Sequence, residues 1–331
     1  MREKMMFEEV VSQIKYEENK LLSFHRSSTD TTSYRVYEDG KVGIHYQVGE
    51  MSDEEGFALA EENLKVRPRP YPFTLESGKR SRNKTEREVA DRELMDIAKE
   101  CMAYILETYP RFVFTAGFSQ RKVIARQTND AGMAYENIDC AVSVDISFKH
   151  VDSKDITDGY FSFSLRDFDK EVFTKMADNY LANYETEVEL PEEIIIDTQY
   201  YGLLSALNSN LDGESIALKT SLLADKIGQK VFSEDFTLVH DVSDEETWFN
   251  RFWDGDGCVN ENDKRVFIDK GVVLTGYADK KNADKYKIPH TGNAYTSLAD
   301  IPGAGGLNLR IARSKKTIKE LQKEGKRPSL L

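Results

Sequence analysis

Residues 138–149 read IDCAVSVDISFK. Ile138, Cys140, Val142, Val144, Ile146 and Phe148 recur at every second position, with Asp139, Ser143, Asp145, Ser147 and Lys149 between them. Successive side chains of a strand point to opposite faces, so the pattern is a strand with one buried and one wet face. That is the signature of an antiparallel sheet. Tyr160 to Leu165 supplies a neighbouring strand. Upstream, Tyr34 and Val36 alternate before Asp39-Gly40, and Val42, Ile44, Tyr46 and Val48 alternate after it. Asp-Gly suits a type I′ turn, whose two central residues need positive φ, so this is a hairpin.

Helices fill the gaps. Phe7 to Leu22 reads as an amphipathic helix. Ser52 and Glu55 form a capping box ahead of a face made by Phe57, Ala60 and Leu64. Arg67 to Pro72 is an extended connector, because each proline keeps its predecessor out of the α region. A second box, Thr85 and Glu88, opens a helix striped by Ala90, Leu94, Ile97, Cys101 and Ile105 and closed by Pro110. Asp169 caps another, with Phe173, Met176, Ala177, Tyr180, Leu181 and Tyr184 on its face. An acidic stretch from Glu185 to Asp197 marks a boundary between domains 1–190 and 191–331. A chain of 331 residues also exceeds what one core usually serves. The first domain is α+β, with helices packed on a mostly antiparallel sheet. Beyond it the pattern predicts helices over Gln199–Leu207 and Ser215–Ile227, then strands at Phe236–His240, Val266–Ile268 and Val272–Leu274.

Composition removes several function classes. The formal charge is −13 and the basic clusters, Lys79 to Arg82 and Lys315 to Arg327, are short, so nucleic acid is not the expected partner. Cys101, Cys140 and Cys258 lie far apart with no C-x-x-C, which suits a reducing compartment; Cys101 and Cys140 fall on apolar stripes and read as core thiols. The charged opening MREKMMFEEVVSQIKYEENK has no apolar signal core, and no run reaches the length of a membrane span. A cytoplasmic location is expected.

None of the five histidines is followed by glutamate, so H-E-x-x-H is absent. His240-Asp241 is an adjacent pair at a strand end and reads as ordinary surface. Asp254-Gly255-Asp256-Gly257-Cys258-Val259-Asn260-Glu261 resembles a calcium loop but fails the EF-hand spacing at Cys258 and Val259. Cys258 sits among acidic residues, which disfavour a thiolate nucleophile. Gly303-Ala304-Gly305-Gly306 lacks the Lys-Ser/Thr of a phosphate loop and reads as a turn.

Several of these segments form one resemblance. Tyr34 to Gly43 resembles the opening hairpin of the TldD/PmbA family. Phe252-Trp253-Asp254-Gly255-Asp256-Gly257 is similar to its F-D-x-E-G segment. Thr291-Gly292-Asn293-Ala294, Pro302 and Asn308-Leu309 resemble its T-G-N-A … P … N-L signature. Ser221 to Gly228 is similar to a segment shared across the family. The resemblance covers most of the chain after about residue 30 and implies that the second domain is the mainly-β domain of the TldD/PmbA type.

In that family TldD-type chains carry H-E-x-x-x-H on a helix and bind zinc, whereas PmbA-type (TldE) chains lack it and pair with the catalytic chain. Here Leu204 and Ser209 stand at the two histidine positions and Ser205 at the glutamate. The resemblance therefore implies a non-catalytic TldE/PmbA-like subunit without zinc of its own, taking part in peptide processing or proteolysis. Zinc is expected only in a metallopeptidase partner chain, and the partner itself is either such a TldD-type chain or a second copy of this one, as a hetero- or homodimer. Unfolded peptides are the expected substrates, with Thr291, Gly292 and Asn293 as candidate peptide-binding residues. The sequence stops after a lysine-rich helix, Ser314 to Glu324, so the last strands of the family domain and its cysteine ligand are not carried over. The rival reading is a metallopeptidase or other hydrolase with a site of another design. A DNA-gyrase-associated regulator, the family's older label, is disfavoured by the charge.

Overall fold

The computed structural model describes all residues except 73, 183, 185–193, 196–200, 244–247, 306–307, 313–319, 321–326 and 329–331. The first half holds β1 (Arg2–Glu17), β2 (Lys20–Glu38), β3 (Lys41–Val48), α1 (Asp53–Val66), β4 (Arg69–Pro70), β5 (Gly78–Asn83), α2 (Asp91–Thr108), β6 (Phe112–Asn129), β7 (Met133–His150), β8 (Gly159–Leu165) and α3 (Lys170–Leu181). After it come β9 (Ile194–Ile195), α4 (Tyr201–Asn210), α5 (Gly213–Ala217), β10 (Leu238–Asp241), β11 (Lys264–Asp269), β12 (Val272–Val273), α6 (Lys280–Tyr286), β13 (Ala294–Tyr295), β14 (Gly303–Ala304), β15 (Leu309–Ile311) and β16 (Arg327–Pro328). Strands β1 to β8 make one sheet in the order β4-β3-β2-β1-β6-β7-β5, with β8 also on β7. Every pairing is antiparallel except β5 on β7, so the fold is α+β as the alternation predicts. A smaller antiparallel sheet runs β12-β11-β10-β15, and β13–β14 and β9–β16 are short pairs.

The registers Ile14↔Phe118↔Val144 and Met5↔Gln127↔Tyr135 fix which residues share a face of the large sheet. On one face, Ile14, Phe118, Val144 and Phe161 pack with Leu94, Cys101 and Ile105 of α2 and Phe173, Ala177 and Leu181 of α3. Helix α1 lies on the same face, against Tyr34 and Val36. The opposite face meets the later part of the chain: Phe7, Ala125, Met133 and Tyr135 cluster with Phe252 and Trp253, and Tyr37 and Val42 with Ile301.

This two-sided cover explains where local pattern misleads. The expected helix over Phe7–Leu22 is instead most of β1 and the start of β2. Along β1 burial passes from Glu3 and Met5 to Ser12, Ile14 and Tyr16, from one face to the other, and the period of two is broken. The resulting spacing of Phe7, Val10, Val11 and Ile14 imitates a helix. Asp139, expected on the wet face of β7, is fully buried because the later chain covers it.

The Asp39-Gly40 hairpin has both residues at positive φ, 49° and 70°. The Ser52 hydroxyl accepts from Glu55 N and Asp169 accepts from Glu171 N and Val172 N, as the caps predict. The box at Thr85 is not used. The Gln120 side chain accepts from Val89 N and donates to Val89 O, which holds the approach extended, and α2 starts at Asp91. The expected helix over Ser215–Ile227 is only the short α5, because the Ser221 hydroxyl donates to Asn210 O and Leu222 N donates to Asn210 Oδ1. The expected boundary at 185–197 lies outside the described residues apart from Ile194 and Ile195, as does the lysine-rich stretch apart from Glu320.

Candidate functional site

The segment 252–260 starts docked on the large sheet, through Phe252 and Trp253. Trp253 Nε1 donates to Gln127 Oε1 at 2.7 Å, and Phe252 packs edge-on to Tyr135 beneath the Arg80 guanidinium, 4.1 Å from the ring centre. The Asp254 carboxylate shapes the turn: Oδ1 accepts from Asp256 N (2.9 Å) and Cys258 N (2.8 Å), and Oδ2 from Ala294 N (2.9 Å). Gly255 N donates to Ala294 O, and a side chain on Gly255 would begin 2.5 Å from Tyr295 O. Only glycine lets the turn lie this close to β13.

The turn therefore meets residues 290–294. His290 Nε2 stands 3.7 Å from Asp254 Oδ2 and 3.6 Å from Asp256 Oδ2. Cys258 Sγ donates to Glu76 Oε1 at 3.3 Å, and Lys280 Nζ pairs with that oxygen at 2.8 Å. Lys280 N donates to Asp256 Oδ2, and Asp279 caps α6 by accepting from Asn282 N. Burial holds the Asp254 carboxyl above its usual range and pushes the Cys258 thiol up, the latter helped by the Asp254 charge. Burial works to raise Glu76 as well, but Lys280 outweighs it and the carboxyl is held low.

Beside this cluster opens a cavity of about 400 Å³, walled by Arg251, Asp254, Cys258, Gly292, Tyr295 and Thr296 among others. The Arg251 guanidinium lies 5.1 Å and 5.2 Å from the Phe7 and Trp253 ring centres and donates to Thr296 Oγ1. No carboxylate pairs with it among the described residues, and burial lowers its pKa to about 10. Of the three candidate peptide-binding residues, Gly292 lines this wall. Thr291 is buried, its hydroxyl accepting from Ala278 N and donating to Ala278 O. Asn293 is also buried, with both amide atoms unpartnered among the described residues.

The remaining sequence candidates have structural surroundings. His240 Nδ1 accepts from Asn308 N, while Asp241 accepts from Ser243 and pairs with Lys264. The two side chains thus serve different partners. On α4, Leu204 packs against the core of the smaller sheet, Ser205 is exposed, and the Ser209 hydroxyl donates to Ser205 O. What sequence reasoning missed is His290 facing the 254–258 turn. Its only local sign was adjacency to Thr291-Gly292-Asn293.

The family described as the PmbA/TldA metallopeptidase C-terminal domain matches residues 192–329. An uncharacterized protein of Methanocaldococcus jannaschii is 25% identical over 315 residues, which are 89% of this chain and 71% of that protein. A candidate modulator of DNA gyrase from Thermotoga maritima, solved as a crystal structure, aligns with a TM-score of 0.78 at 19% identity over 98% of this chain and 76% of its own. TldE from Thermococcus kodakarensis aligns at 0.75 and 16% identity over 97% of this chain and 76% of its own. At these identities the solved structures establish a shared fold.

Proposed function

Because this chain belongs to the TldD/PmbA family, we propose that it is a non-catalytic, TldE/PmbA-like subunit that handles peptides together with a zinc metallopeptidase of the same family. Helix α4 carries the reading. Zinc takes imidazole, thiolate or carboxylate donors, and Leu204, Ser205 and Ser209 offer none of them. The family's zinc does not fit these residues, so no step of peptide cleavage is routed through this helix.

The cavity supports the peptide-handling half of the proposal. Its volume suits a few side chains or a chain end, and its wall carries a cation free of carboxylate partners among the described residues. In this reading Arg251, which lines the cavity, pairs with a peptide carboxylate, the group that a guanidinium binds through charge-assisted hydrogen bonds. A cytoplasmic location goes with the reading, since all three cysteines are free, and no described helix is long and apolar enough to cross a membrane.

The test is solution mass and peptidase activity, for this chain alone and mixed with a TldD-type chain of the same organism. A stoichiometric complex that cleaves an unstructured peptide, with no cleavage by this chain alone, is expected. A strict monomer that binds neither that chain nor unfolded peptide overturns the proposal.

A further inference from the structure

Asp254, Cys258 and His290 each present one donor atom, and the three atoms lie within 4.8 Å of one another. They come from a single tight turn and from the residue before Thr291-Gly292-Asn293, brought together by the Gly255–Ala294 and Asp254–Ala294 hydrogen bonds. His290 Nε2 is buried and has no hydrogen-bond partner among the described residues. Its separations of 3.7 Å and 3.6 Å from Asp254 and Asp256 are too long for hydrogen bonds. They are close to the spacing of two ligands on one ion: nitrogen and oxygen donors each about 2.0 Å from a tetrahedral zinc stand about 3.3 Å apart.

A second, independent observation points the same way. The Asp256 side chain is wholly enclosed, and its Oδ1 has no partner among the described residues. Asp254, Asp256 and Asp279 are all buried, with Glu76 beside them and Lys280 as the cation in contact. Buried carboxylates in such excess call for further positive charge.

We propose that Asp254, Cys258 and His290 form a divalent-metal site of the zinc class, separate from helix α4. One sulfur, one imidazole nitrogen and one carboxylate oxygen suit zinc and exclude calcium or magnesium, which take oxygen donors. Binding replaces the Cys258 S–H bond by a metal–sulfur bond. The proton leaves by way of Glu76 Oε1, already its acceptor, to solvent. Three protein donors leave one position of a tetrahedral ion for water or a group from the cavity that Asp254 and Cys258 line. The site goes beyond the proposed peptide role and stands or falls separately, since its test involves neither partner nor peptide.

The full chain, stripped of metal with a chelator, is titrated with zinc and in parallel with cobalt(II). One ion per chain is expected, and the cobalt form shows thiolate charge-transfer absorption together with the intense visible bands of a tetrahedral centre. Cys258→Ser removes the charge-transfer band, and it and His290→Ala each weaken zinc binding by about 100-fold or more. Ser209→Ala leaves the titration unchanged. Zinc also slows alkylation of Cys258 in the unmutated protein, which serves if a variant fails to fold. A wild-type chain that binds no ion, or binds cobalt without the thiolate band and without protecting Cys258, overturns the assignment.

Discussion

The two faces of the large sheet are covered in different ways. Under α2 and α3 the face is apolar, built on Phe114, Phe118, Val144, Ile146 and Phe161. Regular helices satisfy their own backbone groups, so the surface beneath them needs no polar atoms. The other face is covered by irregular chain whose N–H and C=O groups need partners. It buries Gln127, Asn137 and Asp139 beside its aromatics. Gln127 takes the Trp253 indole N–H, Asp139 takes Phe249 N, and Asn137 orients Arg82, which donates to Val242 O and Asn250 O. Buried polar residues on this sheet mark where loops dock.

The sharpest test sets one residue of each face against the other. Phe118→Ala should destabilise the whole chain by about 3–5 kcal/mol in denaturant unfolding, through lost burial and the cavity left behind. Asp139→Ala should cost about 3–5 kcal/mol by taking the carboxylate from the buried Arg166 guanidinium. Its signature differs: hydrogen exchange at 248–260 should quicken while 112–120 stays protected. If both variants loosen both regions equally, the two faces are not energetically distinct.

A smaller effect comes from the loop-covered side. Burial depresses His240 to about 4, and its Nδ1 accepts from Asn308 N, so the folded chain holds it neutral. The unfolded chain binds that proton from about pH 6.5 downward, so stability is full above this and falls as pH drops toward 4. The loss amounts to about 3 kcal/mol and should be largely absent in His240→Asn, compared by urea unfolding across this window. The smallest effect lies away from both covers. Ser52→Ala removes the N-cap of α1 and should lower stability by about 1 kcal/mol, leaving exchange on either sheet face unchanged.

Elements whose signals lie within a few residues were legible in the sequence. The Asp39-Gly40 turn, the caps at Ser52 and Asp169, β7 and β8 and the apolar stripe of α2 depend on local φ, local hydrogen bonds or one uninterrupted period. The family resemblance was legible for the same reason, because each of its motifs is a short local run of residues. Tertiary structure decided the rest. Whether β1 was strand or helix turned on two different covers, each buried by a distant part of the chain, which broke its period. Asp139 looked solvated until residues 249–253 lay over it. Cys258 and His290 stand 32 positions apart, and neither carries a local sign of the other. Only the close approach of Gly255 to Tyr295, with Asp254 binding Ala294 N, brings them to one point.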